Sequence, residues 1–231
     1  CLLWSGAARP RGAPRQKIDR MKRLVETEIS ITGPAGSLEA LVSDADAARA
    51  VAVICHPHPQ HGGTMHNKVA YTLARTFAAL GLATIRFNFR GVGASEGSYA
   101  DGLGEVDDAV AVLDFAQQRW PAAALWLGGF SFGGMIAIAA AARRPVERLV
   151  SVAPPVYRLD VAILAQPKCP WLILIGDEDE LVDVDAVIAW VNELEPGPQL
   201  IVLEGVDHFF HGRLTQLKDS LIAWTDEEKQ T

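Results

Sequence analysis

The pattern G-x-S-x-G occurs twice, at Gly93-Ala94-Ser95-Glu96-Gly97 and at Gly129-Phe130-Ser131-Phe132-Gly133. A serine with glycines two residues away on both sides suits a sharp strand-to-helix turn. There the missing Cβ atoms relieve crowding around a strained residue whose hydroxyl is presented as a nucleophile. Such a turn needs a buried strand directly before it and a helix directly after it. Ser131 has both: "ALWLGG" leads in and "FGGMIAIAAAA" leads out, with Gly133 and Gly134 permitting close helix packing. Ser95 has neither. It lies several residues beyond its strand in "RGVGASEGSYADG", and Glu96 would set a carboxylate beside a site that must stabilise an oxyanion.

A serine hydroxyl is a weak nucleophile, so it needs a base and the base needs an orienting group. The apolar run "WLILIG" is followed by Asp177, Glu178, Asp179 and Glu180, and the run "QLIVLEG" by Asp207, His208 and, slightly later, His211. Asp177 and Asp179 are the candidate acids, and His208 and His211 the candidate bases. Either choice gives the chain order Ser, acid, His.

Four of the six histidines fall in "ICHPHPQHGGTMHN", as His56, His58, His61 and His66. Their spacing invites a zinc site. Against it, Pro57 and Pro59 constrain the stretch, completing carboxylates would have to come from elsewhere, and His66 starts the following helix. The expectation is that His56 and His61 hydrogen-bond neighbouring loops and that no metal is bound. The value of the loop lies in its backbone: Pro57 and Pro59 have no N–H, which leaves His58 and then Gln60 as donors on a stiffened segment.

The elements that must position these groups alternate. "RLVETEISIT" and "SLEALVSD", separated by "GPAG", read as an antiparallel opening pair. "AVAVIC" is a continuous apolar run suited to a strand covered on both faces. Next come the helix "VAYTLARTFAALG", the strand "LATIRFNF", the helix "EVDDAVAVLDFAQQR" and the strand "AALWLGG". After the helix "FGGMIAIAAAARR" follow the strand "ERLVSVA", the strand "WLILIG", the helix "VDAVIAWVNEL", the strand "QLIVLEG" and a final helix within "RLTQLKDSLIAWTDEE". The result is an α/β chain of about eight strands in a mostly parallel sheet with helices on both faces, whose ligands bind beyond the carboxyl ends of the strands.

The segments "HPHPQHGGTMHNK", "RFNFRGVGASEG", "GFSFGG", "GDEDELV" and "GVDHFFHG" resemble those of small bacterial α/β-hydrolases related to dienelactone hydrolases and described as predicted esterases. The similarity runs from about Lys22 to the final helix. By this resemblance the acid is Asp179 and the base is His208. It also implies an oxyanion hole formed by the backbone N–H groups of Phe132, directly after the nucleophile, and of His58, where His56-Pro57-His58 matches His-Gly-x. Seventeen residues, "PPVYRLDVAILAQPKCP", separate the sixth and seventh strands where many relatives insert a cap. They can hold one short helix, "RLDVAILA", but no cap domain. Tyr157, Phe209 and Phe210 are expected to line the substrate pocket and Phe130 to pack in the core. The implied activity is hydrolysis of small carboxylic esters, or of thioesters or lactones with the same machinery, without metal or organic cofactor. A peptidase or acyltransferase on the same fold, a non-catalytic binding protein and a metal-dependent hydrolase are the alternatives.

Composition narrows the partners. A net charge of −7 without a basic stripe argues against nucleic acid, and no apolar run approaches the roughly 18 residues of a membrane span. Three scattered cysteines form neither a disulfide framework nor a metal pair, which suits a reducing cytoplasm. Residues 1–20, "CLLWSGAARPRGAPRQKIDR", read as a disordered extension or upstream translation artefact, with a basic organelle-targeting segment as the alternative. Residues 21–231 read as a single domain. Oligomeric state is not legible.

Overall fold

The computed structural model describes residues 23–156 and 166–227. The expectations for residues 1–20, for a helix within "RLDVAILA" and for Tyr157 at the pocket therefore lie outside the described residues. The strands are β1 (Thr27–Gly33), β2 (Gly36–Ser43), β3 (Ala50–Cys55), β4 (Ala83–Phe87), β5 (Ala124–Phe130), β6 (Arg148–Val152), β7 (Trp171–Gly176) and β8 (Gln199–Leu203). The helices are α1 (Lys68–Ala79), α2 (Leu103–Arg119), α3 (Phe132–Arg143), α4 (Val184–Asn192) and α5 (Leu214–Glu227).

The strands form one eight-stranded sheet in the order β1-β2-β4-β3-β5-β6-β7-β8. The pairings β1–β2 and β2–β4 are antiparallel, and those from β4 through β8 are parallel. β3, β4 and β7 are buried at every residue, as their unbroken apolar runs require. β8 is the edge strand on its side and remains partly exposed.

The order of strands explains where the helices go and where a ligand can sit. The chain leaves β3 through α1 toward β4, whereas it leaves β5 through α3 toward β6, the opposite direction along the sheet. With right-handed crossovers, α1 and α3 must then cover opposite faces. α5 packs with α1, and α2 packs with α3. The reversal opens a crevice between the carboxyl ends of β3 and β5, the position where open α/β sheets bind ligands. The histidine loop follows β3, and Ser131 follows β5.

Local chemistry sets the helix starts. Asn67 caps α1, its Oδ1 accepting from the amides of Val69 and Ala70 at 2.8 and 3.4 Å. His66 thus lies before the cap and outside the helix, a correction to its expected role. α2 begins two residues earlier than its apolar pattern suggested, because the buried Glu105 carboxylate accepts from Ala100 and Gly102 and closes the first turn. In α3, residues Phe132 through Ala141 are all buried. Its Gly and Ala residues let the helix lie directly on β5 and β6.

Candidate active site

Ser131 is the N-cap of α3, with φ 54° and ψ −123°. This left-handed φ is unfavourable for a residue with a Cβ, and the surroundings impose it. The Ser131 amide donates to Val152 O at 2.8 Å, and Ser131 O accepts from Gly134 and Met135. A Cβ on Gly129 would collide with Gly133 O, and one on Gly133 with the carbonyls of Cys55 and His56. The two glycines therefore do more than relax the turn. They let the elbow be pressed against the end of β3.

Three side chains from separate loops meet at this turn. Ser131 Oγ lies 3.0 Å from His208 Nε2. His208 Nδ1 lies 2.8 and 3.0 Å from the two carboxylate oxygens of Asp179. A carboxylate only accepts, so Nδ1 carries the imidazole proton and the Nε2 lone pair faces the serine hydroxyl. The Asp179 side chain is completely buried and that of His208 nearly so. Asp179 Oδ1 also accepts from the amides of Leu181 and Val182, at 3.0 and 2.8 Å, which fixes the carboxylate independently of the histidine.

The competing residues go elsewhere. Asp177 accepts from the Gly205 amide at 2.7 Å, and His211 pairs with Asp207 at 2.7 Å. Hydrogen bonding to the His211 amide and ring holds the Asp207 carboxyl below the usual range. Ser95 is buried, donating to Asn88 O at 2.7 Å and accepting from the Glu39 amide at 2.9 Å. It ties β2 to the loop after β4. Glu180 braces the loop that carries His208 by accepting from its amide at 3.1 Å. Nothing in the acidic run Asp177–Glu180 distinguishes that role in the sequence.

The histidine loop contains a 3-10 turn at Pro59–His61. His56 is fully buried, and its Nε2 accepts from the Phe89 amide at 3.1 Å. Nδ1 therefore holds the proton and donates to Pro57 O at 2.6 Å. That carbonyl belongs to the same planar peptide unit as the His58 N–H, so the buried ring fixes the direction of the amide expected in the oxyanion hole. His58 O accepts from His61 and Gly63 at 3.1 and 3.0 Å, pinning the next peptide. The His58 ring packs at a tilt against Phe132, with 4.8 Å between ring centroids, and meets Tyr99 Oη at 3.3 Å. His61 and His66 are exposed. Among the described residues no three His, Cys, Asp or Glu side chains converge as a metal shell.

Burial pushes the His56 pKa down to about 4, against a smaller opposing effect of its bond to Pro57. The folded protein holds this ring neutral, whereas the unfolded chain protonates it near pH 6.5. Between those values the unfolded state binds more protons, so stability falls as pH drops from about 6.5 to about 4, by on the order of 3 kcal/mol. Urea unfolding across this window checks the slope, which should flatten in His56→Gln.

Of the aromatic residues expected at the pocket, Phe209 is 38% exposed, and its ring stands perpendicular to that of His208 at 5.1 Å. Phe210 corrects the expectation. It has no exposed surface and packs edge-on against Phe130, because a left-handed φ of 55° turns it inward. Phe130 is core, beneath the His208 ring at 5.1 Å. Cys55, at the end of β3, is also fully buried, and burial pushes its thiol pKa up.

This geometry defines the fold and site class of the serine hydrolases. A family model described as "Serine aminopeptidase, S33" matches residues 46–163. A solved structure of an alpha-beta serine hydrolase homologue from Coxiella burnetii is 46% identical, with TM-score 0.82, covering 85% of this chain and 96% of its own. A lidless α/β serine hydrolase from Xanthomonas campestris is 39% identical, with TM-score 0.81, covering 88% and 94%. An uncharacterized protein of Rickettsia prowazekii is 37% identical over 205 residues, 84% of this chain and 86% of that one. The chain belongs to this family of serine hydrolases in the α/β-hydrolase superfamily.

Proposed function

We propose that the protein is a serine carboxylesterase that hydrolyses small carboxylic esters through an acyl-enzyme. The observation that carries this reading is the continuous hydrogen-bonded chain from Ser131 Oγ through His208 to the buried Asp179, mounted on a strained elbow. His208 Nε2 takes the hydroxyl proton as Ser131 Oγ attacks the ester carbonyl. The amides of Phe132 and His58 receive the oxyanion, and Asp179 stabilises the imidazolium. His208 then returns the proton to the departing alcohol, and water, activated by the same base, releases the acid. Thioesters and lactones fit the same steps, and none calls for a metal or organic cofactor.

The family description names an aminopeptidase, so amide cleavage is the second reading. Among the described residues no helix is long and apolar enough to cross a membrane. The free thiols of Cys55 and Cys169 suit a cytoplasmic location. The proposed partner is a small ester.

The test is labelling with a fluorophosphonate followed by peptide mapping, with parallel assays on a short ester and the matching amide. A single adduct on Ser131 and turnover of the ester alone is the expected result. An adduct on Ser95, or none, would overturn the reading, and preferred turnover of the amide would replace it with the peptidase.

A further inference from the structure

Resting on the esterase reading, we infer that the protein selects its substrate through the alcohol portion of the ester, and that this portion is neutral and apolar. The group that protonates the leaving alkoxide is His208, so the alcohol must lie beside His208 Nε2 while the acyl chain extends away from it. The exposed Phe209 ring stands beside the base, and the neighbouring acid loop carries a second exposed apolar side chain, Leu181. Phe209 is 38% exposed and follows the base directly, and Leu181 is 54% exposed two residues beyond Asp179. Their sequence neighbours Phe210 and Val182 are buried, at 0% and 3%. The core had access to both stretches and left these two side chains outside.

The turn that presents Phe209 is held at a cost. Phe210 adopts φ 55°, an outlier for a bulky residue. The Phe210 amide donates to Asp207 O at 3.1 Å, and Asp207 binds both the amide and the ring of His211, at 2.9 and 2.7 Å. The Asp207–His211 pair has no part in the proton transfers. It locks a strained turn whose product is an outward aromatic ring standing at right angles to the base. Carboxylates surround this side, but Asp179, Glu180 and Asp177 are each bonded to backbone amides. They disfavour an anionic alcohol and leave the exposed Phe209 ring as the apolar contact surface beside the base.

The experiment compares linear alkyl acetates from methyl to hexyl with ethyl esters of acids from acetic to hexanoic, on wild type, Phe209→Ser and Leu181→Ser. All acetates pass through one acetyl-enzyme, so differences among them arise in acylation alone. In the wild type kcat/KM should rise about twofold per methylene of the alcohol, half the logarithmic gain of complete burial. Phe209→Ser should flatten that series and lower all the ethyl esters by one common factor, leaving the slope of the acyl series unchanged. An alcohol series that keeps its slope in both variants would overturn the inference. So would a Phe209→Ser effect confined to the acyl series, or acetylcholine turned over faster than neutral 3,3-dimethylbutyl acetate. Loss of turnover of every ester in the wild type would instead overturn the esterase reading itself.

Discussion

Replacing Ser131 with alanine is expected to lower kcat/KM for a simple ester by about 10⁶-fold, the scale seen when a serine hydrolase loses its nucleophile. The residual rate should remain about 10³-fold above that of water, because the oxyanion amides and the binding surface survive the change. Ser131 makes its structural bonds through its backbone, to Val152, Gly134 and Met135. Alanine keeps those bonds. The variant should therefore fold like the wild type and unfold at the same urea concentration or a slightly higher one, since a Cβ at φ 54° is present in both. Single-turnover kinetics with unfolding curves separate the chemical loss from a folding loss.

Asp179→Asn should give the second largest effect, about 10⁴-fold in kcat, by the loss that the same change causes at an oriented triad. The asparagine amide can donate to Nδ1, which moves the imidazole proton to Nε2 and leaves no lone pair facing Ser131. Its oxygen can still accept from Leu181 and Val182, so the loop keeps its shape. The companion variant Asp177→Asn discriminates between the two acids. The Asp177 carboxylate holds the Gly205 amide and does not reach His208, and its loss should cost less than tenfold in kcat. Comparable losses in the two variants would mean that Asp179 is not the orienting acid.

The sheet and its flanking helices were legible because their signals are local. The unbroken apolar runs of β3 and β7 mark strands covered on both faces, and Gly81, at φ 87°, ends the pattern of α1. The elbow was legible because strand, glycine, serine, glycine and helix are contiguous. The order of segments also brought Asp179 and His208 forward as candidates, and the structure holds both within hydrogen-bond reach of the Ser131 system.

What remained hidden depends on distant partners. The orienting role of His56 needs the Phe89 amide, 33 residues away. Tyr99 reaches the His58 ring from 41 residues away. The two phenylalanines after His208 look alike in sequence, and only the left-handed backbone at Phe210 assigns one to the core and the other to the surface. The early start of α2 was missed because a buried glutamate, rather than an apolar period, closes its first turn.

The placement of His208, the base of the proposed mechanism, on the loop after β8 has a consequence of its own. Ser131 rises from β5 in the middle of the sheet, whereas His208 depends on the strand with a neighbour on one side only. The loop is moored to the end of β7 by the Glu178–Val206, Asp177–Gly205 and Glu180–His208 bonds. Sub-global opening of this outer unit would withdraw the base while leaving the elbow folded. On the proposed mechanism, activity would then be lost at the free energy of opening the sheet margin, which cannot exceed that of global unfolding.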